Sequence, residues 1–256
     1  MIDILKAKRT FAEYVKNYDI KNDKIRLKIE HIERVSQIAK KLATKLELEE
    51  EDIKLAELIG LLHDIAKIDQ KSESTIYKDV EHIEHGDAAA IILEKNNYIR
   101  KYVKDNKYDE IIKTAIINHS KYEIAKNIQD EKTLMFCKII RNSDEIDIIY
   151  QAQEIFWKDK TKIQDGISQK VLKDFKEEKQ ILNQDKITQL DKAIAIISFI
   201  YDINYIEGFK IIKENDYINK IIDKFEIENT KVKEQFEEIR KIANKYIENK
   251  IQKERW

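Results

Sequence analysis

Proline is absent from this 256-residue chain, and glycine occurs four times, at positions 60, 86, 166 and 208. A sheet-rich protein of this length needs many tight turns, and tight turns draw on glycine and proline. Their scarcity excludes that class. The single cysteine, Cys137, rules out an internal disulfide and a thiolate-only metal site, and it fits a reducing compartment. Neither sign of charge dominates: 48 Lys+Arg stand against 49 Asp+Glu, so no global basic field exists to attract nucleic acid. No apolar run approaches the roughly 20 residues needed to cross a bilayer. The opening Met1-Ile2-Asp3-Ile4-Leu5-Lys6 carries an acid at position 3 and does not read as a signal peptide. A soluble cytoplasmic protein is expected, without a membrane or nucleic-acid partner.

What the chain has in abundance is helical periodicity. Ile32, Val35, Ile38, Ala39, Leu42 and Leu46 follow the three-and-four spacing of one helix face. Val232, Phe236, Ile239, Ala243, Tyr246 and Ile247 repeat the pattern near the end. The fold class is all-α. Segments 52–67 and 189–206 are apolar nearly all round and read as central buried helices. Residues 68–84 are polar and unpatterned, longer than an ordinary helix connection, and read as a lid or binding loop. A second polar stretch, 158–169, marks the expected boundary between a helical core at 1–157 and a C-terminal helical subdomain at 158–256. The apolar stripe of the last segment suits packing on the core or on a second copy, so a homodimer is compatible.

Histidine is scarce, with five in all, and four of them lie at inward positions of helical segments within the first 120 residues. His31 shares a face with Val35, Ile38 and Leu42. His63 and Asp64 stand side by side in the otherwise apolar run Leu61–Lys67, where burying both is costly without a partner, a hydrogen-bond network or a metal. His85 opens a segment continuing through Ala88, Ala89 and Ile92, and His119 closes one running Ile112, Ala115, Ile116. Asp144 follows Cys137 and Ile140. Taken singly, each reads most simply as a satisfied core group. Six such residues on five helices read as a metal site built between helices. Imidazole and carboxylate without thiolate suit iron, manganese, zinc, cobalt or nickel.

The ordered series His31 … His63-Asp64 … Asp144, with its flanks His31-Ile-Glu-Arg-Val35 and Arg141-Asn-Ser-Asp144, resembles the signature of the HD-domain superfamily of metal-dependent phosphohydrolases. The resemblance covers roughly residues 25–150 and implies an HD-domain helical bundle. The additional His85 and His119 resemble the subset with six metal-binding residues, which includes HD-GYP cyclic-dinucleotide phosphodiesterases and HD-type diadenosine tetraphosphatases. One departure stands out: His63-Asp64 is followed by Ile-Ala-Lys67, and no Gly-Tyr-Pro motif follows anywhere. By this resemblance His31, His63, Asp64 and Asp144 bind a first metal, and Asp64 bridges to a second held by His85 and His119. Iron or manganese heads the choice of two divalent ions, with zinc, cobalt, nickel or magnesium as substitutes.

The implied activity is hydrolysis of a phosphate ester or anhydride, in a small nucleotide, with a metal-bound hydroxide as nucleophile. Asp64 and Lys67 are its catalytic candidates. Lys67 matches the lysine often found after the HD pair in this superfamily, where it contacts substrate phosphate; its plain alternative is a lysine favoured by the macrodipole at a helix C-terminus. Arg34, Lys121 and His82 are further candidates for binding substrate, with a surface ion pair or an exposed loop position as their ordinary roles. Two other functions share these ligands: an HD-fold di-iron oxygenase, and a non-catalytic nucleotide-binding signalling module.

Overall fold

The computed structural model describes residues 1–69 and 83–253. The chain forms two compact units, Met1–Asp144 and Glu145–Trp256. The first holds α1 (Ile4–Val15), α2 (Asp23–Lys45), α3 (Glu50–Leu62), α4 (Ile65–Asp69), α5 (His85–Glu94), α6 (Asp109–His119) and most of α7 (Glu131–Gln151). The helices begin as their sequences direct. Asp3 accepts from Lys6 N–H at the start of α1, and Asn22 accepts from Lys24 N–H at the start of α2.

The α2–α3 contact is unusually close. A Cβ on Gly60 of α3 would stand 2.7 Å from Ser36 Cα of α2 and 3.2 Å from Val35 O. Ser36 Oγ donates across the contact to Glu57 O at 2.7 Å. The buried Glu57 carboxylate is held by Lys8 Nζ of α1 at 2.5 Å and Lys40 Nζ of α2 at 3.2 Å. Gly86 does the same for α5 and α6, since its Cβ would lie 2.7 Å from Ile116 O. Two of the chain's four glycines therefore sit where pairs of helices touch through their backbones.

Two expected long helices are interrupted. The 52–67 segment breaks at His63-Asp64 into α3 and α4, and the 189–206 segment gives α9 (Gln189–Ile197) followed by a 3-10 turn at Ser198–Tyr201. Uniformly apolar segments carry no periodic signal for such breaks. The expected lid at 68–84 falls largely on residues 70–82, outside the described residues.

The second unit carries α8 (Gln169–Lys176), α9, α10 (Ile206–Glu214), α11 (Tyr217–Ile222) and α12 (Thr230–Gln252). Asp191 is fully buried and closes the start of α9, accepting from Thr188 N–H at 3.0 Å and from Ser168 Oγ at 2.6 Å. Along α12 the residues buried are Phe236, Ile239, Ala243 and Ile247, within the stripe read from sequence. One feature departs from a purely helical reading: β1 (Thr161–Ile163) and β2 (Phe225–Ile227) pair in parallel, with Thr161 opposite Phe225 and Ile163 opposite Ile227. At three residues each, they show no alternation long enough to detect. Among the described residues no helix is long and apolar enough to cross a membrane.

Cys137 lies on α7 with no solvent exposure, and burial pushes its thiol up to about 12. Because the thiolate is the reactive form, the native protein is expected not to react with a disulfide reagent over hours and to react with one equivalent after denaturation in guanidinium. Rapid labelling of native protein contradicts this burial.

Candidate metal centre

Five chain segments converge on Asp64. His31 reaches in from the middle of α2. His63 and Asp64 occupy the break between α3 and α4, His85 is the first residue of α5, His119 the last of α6, and Asp144 lies on α7. His31, His63, Asp64, His119 and Asp144 are all buried, and His85 is half-buried.

The two Asp64 oxygens face different imidazoles. His31 Nε2 lies 3.4 Å and His63 Nε2 3.7 Å from Oδ2, while His119 Nε2 lies 3.5 Å and His85 Nε2 3.7 Å from Oδ1. Asp144 Oδ1 joins the first pair, 3.1 Å from His31 Nε2 and 3.8 Å from His63 Nε2. Three groups of side chains offer ligand atoms close enough to share a cation: His31, His63 and Asp64; His63, His119 and Asp144; Asp64, His85 and His119. Bonds of about 2.1 Å put ligand atoms roughly 3.0 Å apart at right angles and 3.4 Å apart in a tetrahedron; the separations at His31 fall in that range, and the others, 3.5 to 3.8 Å, lie just beyond it.

Backbone carbonyls fix the ring tautomers. His63 Nδ1 is 2.8 Å from Gly60 O, and His119 Nδ1 is 2.6 Å from Ile116 O. A carbonyl can only accept, so each Nδ1 carries a proton, and in the neutral ring each Nε2 then presents a lone pair. Those two Nε2 atoms, Asp64 Oδ1 and Asp144 Oδ1 are buried without a hydrogen-bond partner, and Asp64 Oδ2 meets the Lys67 ammonium at 2.9 Å. Lone pair facing lone pair in a water-excluded site is unfavourable unless a cation lies between them. The donor set fits a divalent metal.

Electrostatics point the same way. Burial pushes the His63 imidazole down and, with Lys67 adding to it, pushes His85 down to about 3, so both rings are neutral donors at pH 7. Burial opposes ionisation of Asp64, yet the Lys67 ammonium holds its carboxyl well below the usual range. Burial likewise opposes ionisation of Asp144, and the adjacent His31 and His63 imidazoles hold its carboxyl well below the usual range. Lys67 Nζ stands 2.9 Å from Asp64 Oδ2, and the Asp64 and Asp144 charges raise its pKa against burial.

The HD domain family model matches residues 29–190, more than half of the chain. The chain belongs to the HD domain family. Most members of that family are metal-dependent hydrolases, and HD proteins bind divalent metals. No curated protein and no solved structure matches this HD chain.

Of the residues singled out from sequence, the fold of the HD protein brings His31, His63, Asp64, His85, His119, Asp144 and Lys67 together. Arg34 sits half-buried on α2, one turn beyond His31. Lys121 follows α6, where its backbone carbonyl accepts from Arg141. His82 lies outside the described residues. Arg141 itself escaped notice except as a flank of Asp144.

Proposed function

We propose that this HD protein is a phosphohydrolase that cleaves a phosphate ester or anhydride, in a small nucleotide, at a two-metal centre. The observation that carries this reading is the division of Asp64, with Oδ2 among His31, His63 and Asp144 and Oδ1 between His85 and His119. Divalent ions held by these six side chains would supply Lewis acidity, lowering the pKa of bound water and offsetting charge on a phosphoryl group.

The chain's own residues prepare this chemistry. Asp64 bridges the two halves, and the Gly60 and Ile116 carbonyls aim His63 Nε2 and His119 Nε2 inward. Solvent reaches the cluster along one edge: the His85 and Lys67 side chains are 28% and 21% exposed, whereas those of His63, Asp64 and His119 are fully buried. An anionic substrate arriving at that edge meets the Lys67 ammonium, a charge suited to a phosphate oxygen and of no evident use to a redox substrate. Arg34, Lys121 and His82 are proposed as additional substrate contacts. The nucleotide class rests on resemblance to the six-ligand subset, and iron or manganese on the imidazole-rich donor set.

The test is elemental analysis of protein purified without chelator, alongside phosphate release across a panel of nucleotides. About two metal equivalents with phosphate release support the proposal. Two irons with oxygen consumption and no phosphate release replace it with an oxygenase. Failure to take up any metal, even after reconstitution, overturns it.

A further inference from the structure

Arg141 is 3% exposed, yet the function described so far gives its buried charge no task. Its guanidinium donates through Nη2 to Tyr122 O at 2.6 Å and through Nη1 to Lys121 O and, at 3.4 Å, to Asn118 O. These carbonyls lie at and just beyond the end of α6, whose last residue is His119. A helix leaves its final carbonyls without intrahelical donors, and the dipole makes that end electronegative. A guanidinium offers five N–H groups in a planar fork and carries its charge at every accessible pH. Arg141 thus caps α6 from outside, through a neighbouring helix.

The cap also sets where His119 stands. Arg141 is one turn before Asp144 on α7, so a single rigid element carries both Asp144 and the clamp on the tail of α6. The opposite side of that tail is closed by α5, where a Cβ on Gly86 would stand 2.8 Å from Ser120 Oγ. Asn118 adds a local brace, donating to Thr114 O at 2.8 Å and accepting from Ala125 N–H at 2.9 Å. His119 Nε2 lies 3.5 Å from Asp64 Oδ1, a separation that a small rotation of the tail would open. His31 and His63 sit on α2 and at the end of α3, and the three carbonyls named above belong to neither element.

We propose that Arg141 is a positioning residue for the half of the centre formed by His85, His119 and Asp64 Oδ1: by binding the carbonyls after α6 it holds His119 in ligating position. This rests on the two-metal reading, and its test separates the two. Metal-free protein is titrated with Mn2+ and followed by electron paramagnetic resonance, with hydrogen exchange measured over residues 118–125. In Arg141→Gln the first equivalent binds within about threefold of the original affinity, and the second binds 10–100-fold more weakly, the range known for residues that orient ligands. Exchange at 118–125 quickens at least tenfold, while α2 and α3 are unchanged. Arg141→Lys keeps the charge without the fork and falls between the two.

Two equivalents bound as in the parent protein overturn the proposal. So does simultaneous loss of both equivalents together with helical circular dichroism in both variants, since Arg141 then serves the fold at large. If the parent protein itself takes up a single equivalent, the two-metal reading fails. Exchange at 118–125 then decides alone: faster exchange in Arg141→Gln upholds the clamp, and unchanged exchange removes it.

Discussion

Asp64→Asn is expected to abolish turnover, by ~10³-fold or more, the scale seen when a group that catalysis cannot do without is removed. The substitution preserves shape but exchanges one accepting oxygen for a donating NH2 group, which cannot bind a metal. Because Oδ1 and Oδ2 face different imidazole pairs, one change touches both halves of the centre. Metal content should fall below one equivalent. The helices should survive, because Asp64 occupies the break between α3 and α4 rather than a helix interior. Far-UV circular dichroism, elemental analysis and phosphate release on the same preparation form the measurement. Substantial turnover by a metal-loaded Asp64→Asn protein would remove Asp64 from the centre.

Gly60→Ala is expected to destabilise the protein by about 1–3 kcal/mol, the usual cost of overpacking. Two effects compete at this position. Alanine favours a helix interior over glycine by up to ~1 kcal/mol, but its Cβ would lie 2.7 Å from Ser36 Cα, 3.0 Å from Ser36 N and 3.2 Å from Val35 O. All three are backbone atoms, which cannot rotate aside, so α2 and α3 must separate, and the clash wins. Gly166→Ala is the control, since its Cβ would meet only Val232 Cγ2, at 3.9 Å. Urea unfolding of both variants checks the expectation, and a Gly60→Ala protein as stable as the parent refutes it. The separation also draws His31 away from His63, whose rings lie 5.3 Å apart across the same contact, so metal affinity should fall with stability.

Much of this was legible in the chain itself, for a physical reason. A helix repeats every 3.6 residues, so an inward histidine declares itself by the apolar residues three and four positions away, as His31 does through Val35. The all-α class followed from the same periodicity and from the missing turn residues. Features that depend on partners distant in sequence were not legible. The break at His63-Asp64 lies in a uniformly apolar run. Gly60 and Gly86 read as isolated glycines until Ser36 and Ile116 come against them. The bridging role of Asp64 was legible only through the family resemblance, and which of its oxygens faces which imidazoles belongs to tertiary structure. The carbonyls that orient His63 and His119 are backbone atoms, and backbone is the same in every sequence. Arg141 read as motif decoration because the groups it binds are carbonyls too.

Those two carbonyls carry a further consequence. Gly60 O and Ile116 O belong to the last turns of α3 and α6, and each is bonded to the histidine that ends or follows its helix. Such turns are the first parts of a helix to fray. Here the fraying coordinate is also the ring coordinate: unwinding the turn releases the imidazole, and a cation gripping the imidazole tightens the turn. Occupancy of the centre and order at these two helix ends are therefore a single equilibrium seen from opposite sides. Scaffold and cargo would not be separate at this point, since an ion bound here would be part of how the helices finish.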